Sequence, residues 1–94
     1  MATKKTSSNV AATLAQRGKR YGEFAEHARI TQNLKAVMKD SPNWQEGKLT
    51  ASQMESLEMI AHKIGRILNG DASYADSWHD IAGYAQLVEM ECGD

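Results

Sequence analysis

The chain has one cysteine, one proline and few aromatic residues, and neither sign of charge is in clear excess. Cys92 cannot form a disulfide within the chain, and no Cys-x-x-Cys zinc motif is present, so we expect a reducing compartment such as the cytoplasm. A net charge of −1 gives no general attraction to nucleic acids or anionic membranes. No apolar run approaches the roughly 18 residues of a membrane span. The first residues, MATKKTSSN, lack the apolar segment of a secretion signal.

The residues that are abundant favour α-helix along the whole chain. Ala, Leu, Met, Glu, Gln and Lys are frequent, and no segment alternates apolar with polar residues as a strand would. Residues 1–8 are small and polar, which predicts a disordered arm, and residues 9–92 predict one helical domain. A chain of this length has a small core, so association into a homo-oligomer would bury additional apolar surface.

We expect an all-α fold, an antiparallel bundle of about four helices. The first helix is predicted to begin at Ser8 or Asn9, which are good N-caps, and to end near the RYG segment. The second is predicted from about Glu23 to Lys39. Pro42 excludes its continuation, and the segment DSPNWQEGK is expected to be a loop.

The third and fourth helices are predicted to form a hairpin. The third begins at a capping box formed by Thr50 and Gln53, and it ends at an Asn-Gly pair typical of a C-terminal cap. The fourth begins at Ser73, with Asp76 three residues later in a second capping pattern, and it continues to about Glu91.

Two stripes run along the third helix. The apolar stripe predicts the side that packs into the core. The polar stripe has two interpretations: a solvated face with charge pairs about one turn apart, or a site where Glu55 and Glu58 hold a hard divalent cation such as Mg²⁺. The apolar stripe consists of Met54, Leu57, Ala61, Ile64 and Leu68, widened by Ile60 and Ile67; the polar stripe consists of Glu55, Glu58, His62 and Arg66.

The fourth helix carries two aspartates, Asp76 and Asp80, on one stripe. Asp76 lies in the first turn, where a negative charge is favoured by the helix dipole. Asp80 lacks that explanation, so it is either a ligand of a cation or the partner of Lys63 or Arg66 in an ion pair.

The same helix contains Trp78, Gly83 and Tyr84. A glycine within a helix costs about 1 kcal/mol relative to alanine, so Gly83 predicts a point of close packing. Tyr84 is expected to be a half-buried packing residue. Trp78 is expected in a core or an interface, with stacking on a nucleobase as the alternative.

Basic residues cluster near the end of the first helix, where they indicate either a phosphate site or a solvated helix end. His27, His62 and His79 lack the spacing of a zinc-binding helix, so we expect each to be structural or exposed. The basic cluster consists of Arg17, Lys19 and Arg20, with Arg29 further along the chain.

The segments RGKRYGEF, LEMIAHKIGRILNG and DSWHDIAGYAQLVE together resemble a group of small proteins encoded by tailed phages and prophages. The likeness spans about residues 15–90 and is most specific at DIAGY. This group looks distantly similar to the MazG-like all-α nucleoside triphosphate pyrophosphohydrolases, which use Mg²⁺. Their signature is Glu-x-x-Glu on one helix and Glu-x-x-Asp on the next. Glu55 and Glu58 match the first half, Asp80 matches the last acid, and Ser77 stands where the remaining acid is expected.

The resemblance implies a nucleotide-related helical fold in the cytoplasm of a host cell, with Mg²⁺ on Glu55, Glu58 and Asp80. Three functions follow from it and from the composition. The first is binding of a nucleotide or nucleotide-derived ligand without hydrolysis, which the missing acid favours. The second is Mg²⁺-dependent pyrophosphohydrolysis, and the third is a non-catalytic protein-interaction module. The candidate phosphate- or nucleotide-binding residues are Arg20, Lys63, Arg66, Tyr84 and Trp78.

Overall fold

The computed structural model describes the backbone of residues 2–93 and the side chains of residues 9–93. All regular structure in this range is helical, which confirms the predicted all-α class. The predicted disordered arm, residues 1–8, falls on residues whose side chains lie outside this description. No helix between residues 2 and 93 combines the length and apolar character needed to cross a membrane. The helices are α1 (Ala2–Tyr21), α2 (Phe24–Lys39), α3 (Pro42–Gln45), α4 (Ala51–Asn69) and α5 (Ala75–Cys92).

Local sequence determines how α3 and α4 begin. The Thr50 hydroxyl accepts a hydrogen bond from the Gln53 backbone N–H (3.1 Å), and the Gln53 side chain accepts one from the Thr50 N–H (2.9 Å). The predicted capping box of α4 is thereby confirmed. The prediction of a loop throughout DSPNWQEGK was wrong, because Pro42 opens the short helix α3. Proline is compatible with a first helical turn, where its missing N–H has no intrahelical partner to lose.

The beginning of α5 differs from the predicted cap. Tyr74 is the N-cap residue, and its side chain makes no capping hydrogen bond. The Asp71 carboxylate instead accepts a hydrogen bond from the Ser73 N–H (3.0 Å), which forms a local turn before the helix. Asp76 accepts a hydrogen bond from the Tyr74 hydroxyl (3.2 Å) rather than completing a capping box with Ser73.

The end of α4 is joined to the corner between α1 and α2. The Asn69 side-chain amide donates to the carbonyl oxygens of Tyr21 and Glu23, both at 2.9 Å. Gly70 has φ −124°, so it is not the left-handed cap that the Asn-Gly pair predicted. A Cβ atom on Gly70 would instead overlap the backbone of Arg20 and Tyr21. Glycine is required at this position because two chain segments approach closely.

Helix α4 lies between α2 and α5, and it runs antiparallel to both. On one side, Lys63 pairs with Asp80, and the Ser56 hydroxyl donates to the Tyr84 carbonyl (2.9 Å), which fixes the predicted hairpin with α5. On the other side, His62 contacts His27 of α2. Among the described residues, α2 and α5 do not pack against each other. Helices α2, α4 and α5 therefore form a single layer with α4 in the middle.

This arrangement leaves little core. Ala61 is the one fully buried apolar residue among those whose side chains are described. The expectation that the whole apolar stripe of α4 would be buried was therefore wrong: Leu57 is exposed and Leu68 is 64% exposed. The physical reason is that the two neighbours of α4 occupy opposite sides of it, so that Leu57 and Leu68, between those sides, stay uncovered.

The outer side of α5 is also uncovered. A Cβ atom on Gly83 would meet nothing within 4 Å, so the predicted close packing at this glycine was wrong. Trp78 is 56% exposed and so does not belong to the core of the single chain. Tyr84 is half-buried against α4, as predicted.

Replacing Gly70 with Ala is expected to lower the free energy of unfolding by about 1–3 kcal/mol, the usual range for overpacking. The added methyl group would meet backbone atoms, which cannot rotate away. Gly83→Ala is the matched control, and it is expected to raise the free energy of unfolding by up to about 1 kcal/mol through helix propensity. Urea unfolding followed by circular dichroism measures both. Equal stability of the two variants would contradict the close approach at Gly70.

Candidate functional site

Two of the three predicted metal ligands are engaged by lysines. The Asp80 carboxylate lies 2.9 Å from the Lys63 ammonium, and this hydrogen bond, together with the charge of Lys63, lowers the pKa of Asp80. Glu58 faces the opposite neighbour, with its carboxylate 3.8 Å from Lys35 and 4.0 Å from Lys39 of α2. Asp80 thus adopts the ion-pair alternative with Lys63, and Glu58 points away from it.

The third predicted ligand, Glu55, lies on a shallow groove between α4 and α5, apart from Glu58 and Asp80. Ser77, where the resemblance leads one to expect an acid, is buried against α4, so a carboxylate there would lose its hydration. No group of three or more His, Cys, Asp or Glu residues suited to a metal occurs in the described part of the chain. The predicted Mg²⁺ ligand set of Glu55, Glu58 and Asp80 is therefore not assembled.

The five predicted phosphate-binding residues do not converge either. The Arg20 guanidinium lies 5.0 Å from the centre of the Tyr74 ring, and the Trp78 indole N–H donates to the Ala72 carbonyl (2.8 Å). Arg66 does line a pocket, which lies between α1, α2 and α4. The predicted residues that lie outside this pocket are Arg20, Lys63, Tyr84 and Trp78.

The pocket between α1, α2 and α4 has a volume of about 430 Å³. Phe24 and Leu14 give it apolar walls, and both side chains are largely exposed. Its size lies within the range of about 300–1,000 Å³ that is usual for small-molecule sites. The polar residues of its lining are Arg17, Tyr21, Glu23, His27, His62 and Arg66.

The segment RYGEF builds one end of this pocket. Helix α1 ends at Tyr21, Gly22 adopts a positive φ of 78°, and α2 begins at Phe24. Only glycine takes this left-handed conformation readily. The two hydrogen bonds from Asn69 to the corner then hold it against the end of α4. Tyr21 is thereby placed beside Arg66, which lies in the last turn of α4.

Two arginines share the ring of Tyr21. The Arg66 guanidinium is 4.0 Å from the ring centre and the Arg17 guanidinium is 5.4 Å from it. A guanidinium that stacks on an aromatic ring keeps the N–H groups at its edge available, where they can donate to a carboxylate or phosphate. Neither arginine has a carboxylate partner among the described residues. Glu23 is the one acidic residue in the lining.

A histidine pair forms the floor between α2 and α4. His27 Nε2 lies 3.2 Å from His62 Nδ1, and the two rings meet edge to face at 83°. His27 is only 5% exposed. Burial lowers the pKa of His27, and burial with the nearby charge of Arg66 lowers the pKa of His62 to about 4. Both rings are therefore neutral at neutral pH, and one nitrogen donates while the other accepts.

Gly65 makes room for this pair. A Cβ atom at Gly65 would lie 3.0 Å from His27 Nδ1 and 2.5 Å from the Thr31 hydroxyl oxygen. The Thr31 hydroxyl is in turn 3.4 Å from His27 Nε2. His27 Nδ1 is buried without a hydrogen-bond partner. The histidine pair is thus a tightly packed feature in which one polar atom is unsatisfied.

A protein-family model described as a domain of unknown function, DUF6378, matches residues 7–91 of the chain. The chain belongs to the DUF6378 family. The part that matches DUF6378 contains every residue of the pocket and all of α2, α3 and α4. Neither the curated proteins nor the solved structures give a significant match to it.

Sequence reasoning identified Arg66 and the basic Arg17 of this DUF6378 site, but it missed the pairing of His27 with His62 and the role of Tyr21. A signal for the histidine pair was present, because His27 follows the helical spacing of the apolar residues of α2. His27 and His62 pack against each other, and the expectation that neither binds a metal stays a prediction.

The free energy of unfolding is expected to fall as the pH decreases from about 6.5 towards 4. In the unfolded chain the histidines take up protons near their ordinary pKa of 6.5, whereas the folded pair resists protonation, for His62 down to about 4. The unfolded state therefore binds more protons in this window and is favoured. The lowered pKa of Asp80 adds a separate loss only below its ordinary value of 3.8.

Urea unfolding at several pH values between these limits measures the slope. His62→Gln removes one titrating member of the pair, so it is expected to flatten the dependence. His79→Gln changes an exposed histidine outside the pocket, so it should leave the pH dependence the same as in the unsubstituted chain. If His79→Gln flattened the pH dependence of the free energy of unfolding and His62→Gln did not, the assignment of this dependence to the histidine pair would be contradicted.

Proposed function

We propose that this DUF6378 domain binds a small phosphate-bearing ligand of the nucleotide class in the pocket between α1, α2 and α4, without hydrolysing it. The observation that carries the proposal is the stacking of Arg66 on Tyr21, supported by Arg17, at a pocket of about 430 Å³. The guanidinium fork matches the oxygens of a phosphate, which it can bind with two parallel hydrogen bonds.

The other walls suit the rest of a nucleotide. Phe24 and Leu14 are apolar, largely exposed and adjacent to the arginines, so a planar base or another apolar group has a surface to cover. The neutral rings of His27 and His62 add no positive charge. Affinity for the anionic end therefore depends on Arg17 and Arg66, opposed in part by Glu23.

A Mg²⁺-dependent pyrophosphohydrolase is the alternative that the resemblance to MazG-like enzymes suggested. It requires carboxylates that converge on the metal, whereas Asp80 and Glu58 bind lysines on opposite sides of α4. Ser77 supplies no acid. These contacts favour binding over hydrolysis. A MazG-like core, phage origin and a cytoplasmic location accord with a nucleotide-related role, and they stay predictions.

Nucleotide binding is expected to raise the thermal stability of the chain. ATP, AMP and inorganic pyrophosphate are the probes, each with and without Mg²⁺. A ligand at about 100 times its dissociation constant adds roughly 2.7 kcal/mol to the free energy of unfolding. Arg66→Met is expected to weaken binding at least about tenfold, the equivalent of one lost charged hydrogen bond. Arg29→Met is the matched control, since Arg29 pairs with Glu26 on the exposed side of α2.

Two results would contradict the proposal: no stabilisation by any of the three probes, or equal binding by the Arg66→Met variant. Release of pyrophosphate from ATP only in the presence of Mg²⁺ would favour the hydrolase instead. In that case Asp80→Asn should abolish release, because a neutral amide cannot replace the carboxylate on the metal.

A further inference from the structure

An apolar surface lies on the side of the layer opposite the pocket. Along α4 it contains Leu57, Ile64 and Leu68, which follow one helical stripe and include no charged residue. Leu57 and Leu68 are exposed and Ile64 is half-buried. We call this surface the open face; its members are Val37, Leu57, Ile64, Leu68 and Trp78.

Helix geometry places the α5 member of the open face. Leu87 lines the groove that also contains Glu55, so Leu87 lies on the Glu55 side of the layer. Leu87 follows Trp78 by nine positions in the chain, and Ile64 follows Glu55 by nine positions. This spacing is about two and a half helical turns, so the members of each pair point in opposite directions. Trp78 and Ile64 therefore share the side away from Glu55.

The same reasoning places Val37 of α2 on the open face. Phe24 lines the pocket with Arg66, which is on the Glu55 side of α4. Val37 follows Phe24 by thirteen positions, which is about 3.6 helical turns. Val37 therefore points to the side of the layer away from the pocket. Val37 is exposed there. All three helices of the layer thus contribute apolar side chains to one surface.

Trp78 presents only its apolar part to this surface. Its indole N–H, the single polar group of the side chain, already donates to the Ala72 carbonyl at 2.8 Å. A tryptophan held in this way offers a large apolar area with little conformational freedom left to lose. Such residues are enriched among the side chains that contribute most to protein interfaces.

The chain exposes more surface than is usual for a monomer of its mass. The chain exposes 6852 Å², whereas a monomer of its mass of 10.4 kDa is expected to expose about 5,400 Å². The difference is of the order of the roughly 1,000 Å² that each subunit of a small obligate homodimer buries. The open face accounts for part of it, and the exposed residues 9–19 of α1 account for another part. A single layer of helices also lacks the second layer around which domains form a core.

We propose that the open face is the interface of a homodimer, in which a second copy of this chain packs its own open face against the first about a twofold axis. A second copy supplies a layer of the same dimensions and the same apolar character. The stripe of α4 carries no charge that would select a partner of complementary charge. The twofold arrangement places each stripe against an identical one, as isologous interfaces require.

Sedimentation of the full chain tests the proposal. A mass of about twice 10.4 kDa is expected, with a melting temperature that rises over about a hundredfold increase in concentration. Leu68→Glu should reduce the mass to that of one chain. Leu87→Glu is the matched control, because Leu87 is similarly exposed, at 58% against 64%, but lies on the opposite side of the layer. That variant should retain the dimer.

Trp78 fluorescence keeps the proposal testable if Leu68→Glu does not fold. In a Trp44→Phe background, emission from Trp78 should shift to longer wavelength on dilution, as the open face becomes hydrated. A single-chain mass at every concentration overturns the proposal, whatever other protein the chain then binds. Loss of the dimer in Leu87→Glu but not in Leu68→Glu also overturns it, as does concentration-independent emission.

Discussion

Helix α4 packs against α2 with one side and against α5 with the opposite side, and the contacts that achieve this use small residues. Ala61 and Gly65 are buried on the α2 side, and Ser56 of α4 and Ser77 of α5 are buried along the contact between those two helices. The Ser56 hydroxyl reaches a backbone carbonyl of α5 directly, which requires the two helices to be close. Because small side chains fill the closest contacts, Leu57 and Leu68 of α4 remain exposed beside them.

The pocket depends on the same arrangement at the other end of the layer. Asn69 and Gly70, at the end of α4, hold the corner between α1 and α2 through two hydrogen bonds and one close backbone approach. That corner positions Tyr21 under Arg66, and the absence of a side chain at Gly65 lets the His27 ring pack beside His62. Three short-range constraints therefore shape a site whose polar residues come from three helices.

Local physics explains which parts could be predicted from the sequence. The capping box of Thr50 and Gln53 and the helical class depend on neighbouring residues, and both are confirmed. The sequence predicted a helix cap at Gly70 and close packing at Gly83, yet Gly70 approaches the backbone of α1 closely and Gly83 contacts nothing. Their difference depends on which segments meet, which no local pattern contains.

The candidate site illustrates the same limit. The polar stripe of α4 was visible in the sequence. The direction of the Glu58 side chain, however, depends on the lysines that α2 places opposite it. The contact between His27 and His62 joins residues 35 positions apart. Periodicity gives the face of a helix on which a residue lies, but it does not give the neighbour that covers that face.

The pocket and the open face lie on opposite sides of α4, so the proposed ligand and the proposed second copy would not compete for the same surface. Any influence of one on the other must pass through α4, with Arg66 in the pocket and Leu68, two residues later, on the open face. Thermodynamic linkage then makes the influence reciprocal: a ligand that strengthens association must bind more tightly to the dimer by the same factor. If α4 keeps its position in both states, that factor is one, and binding and association are independent properties of the layer.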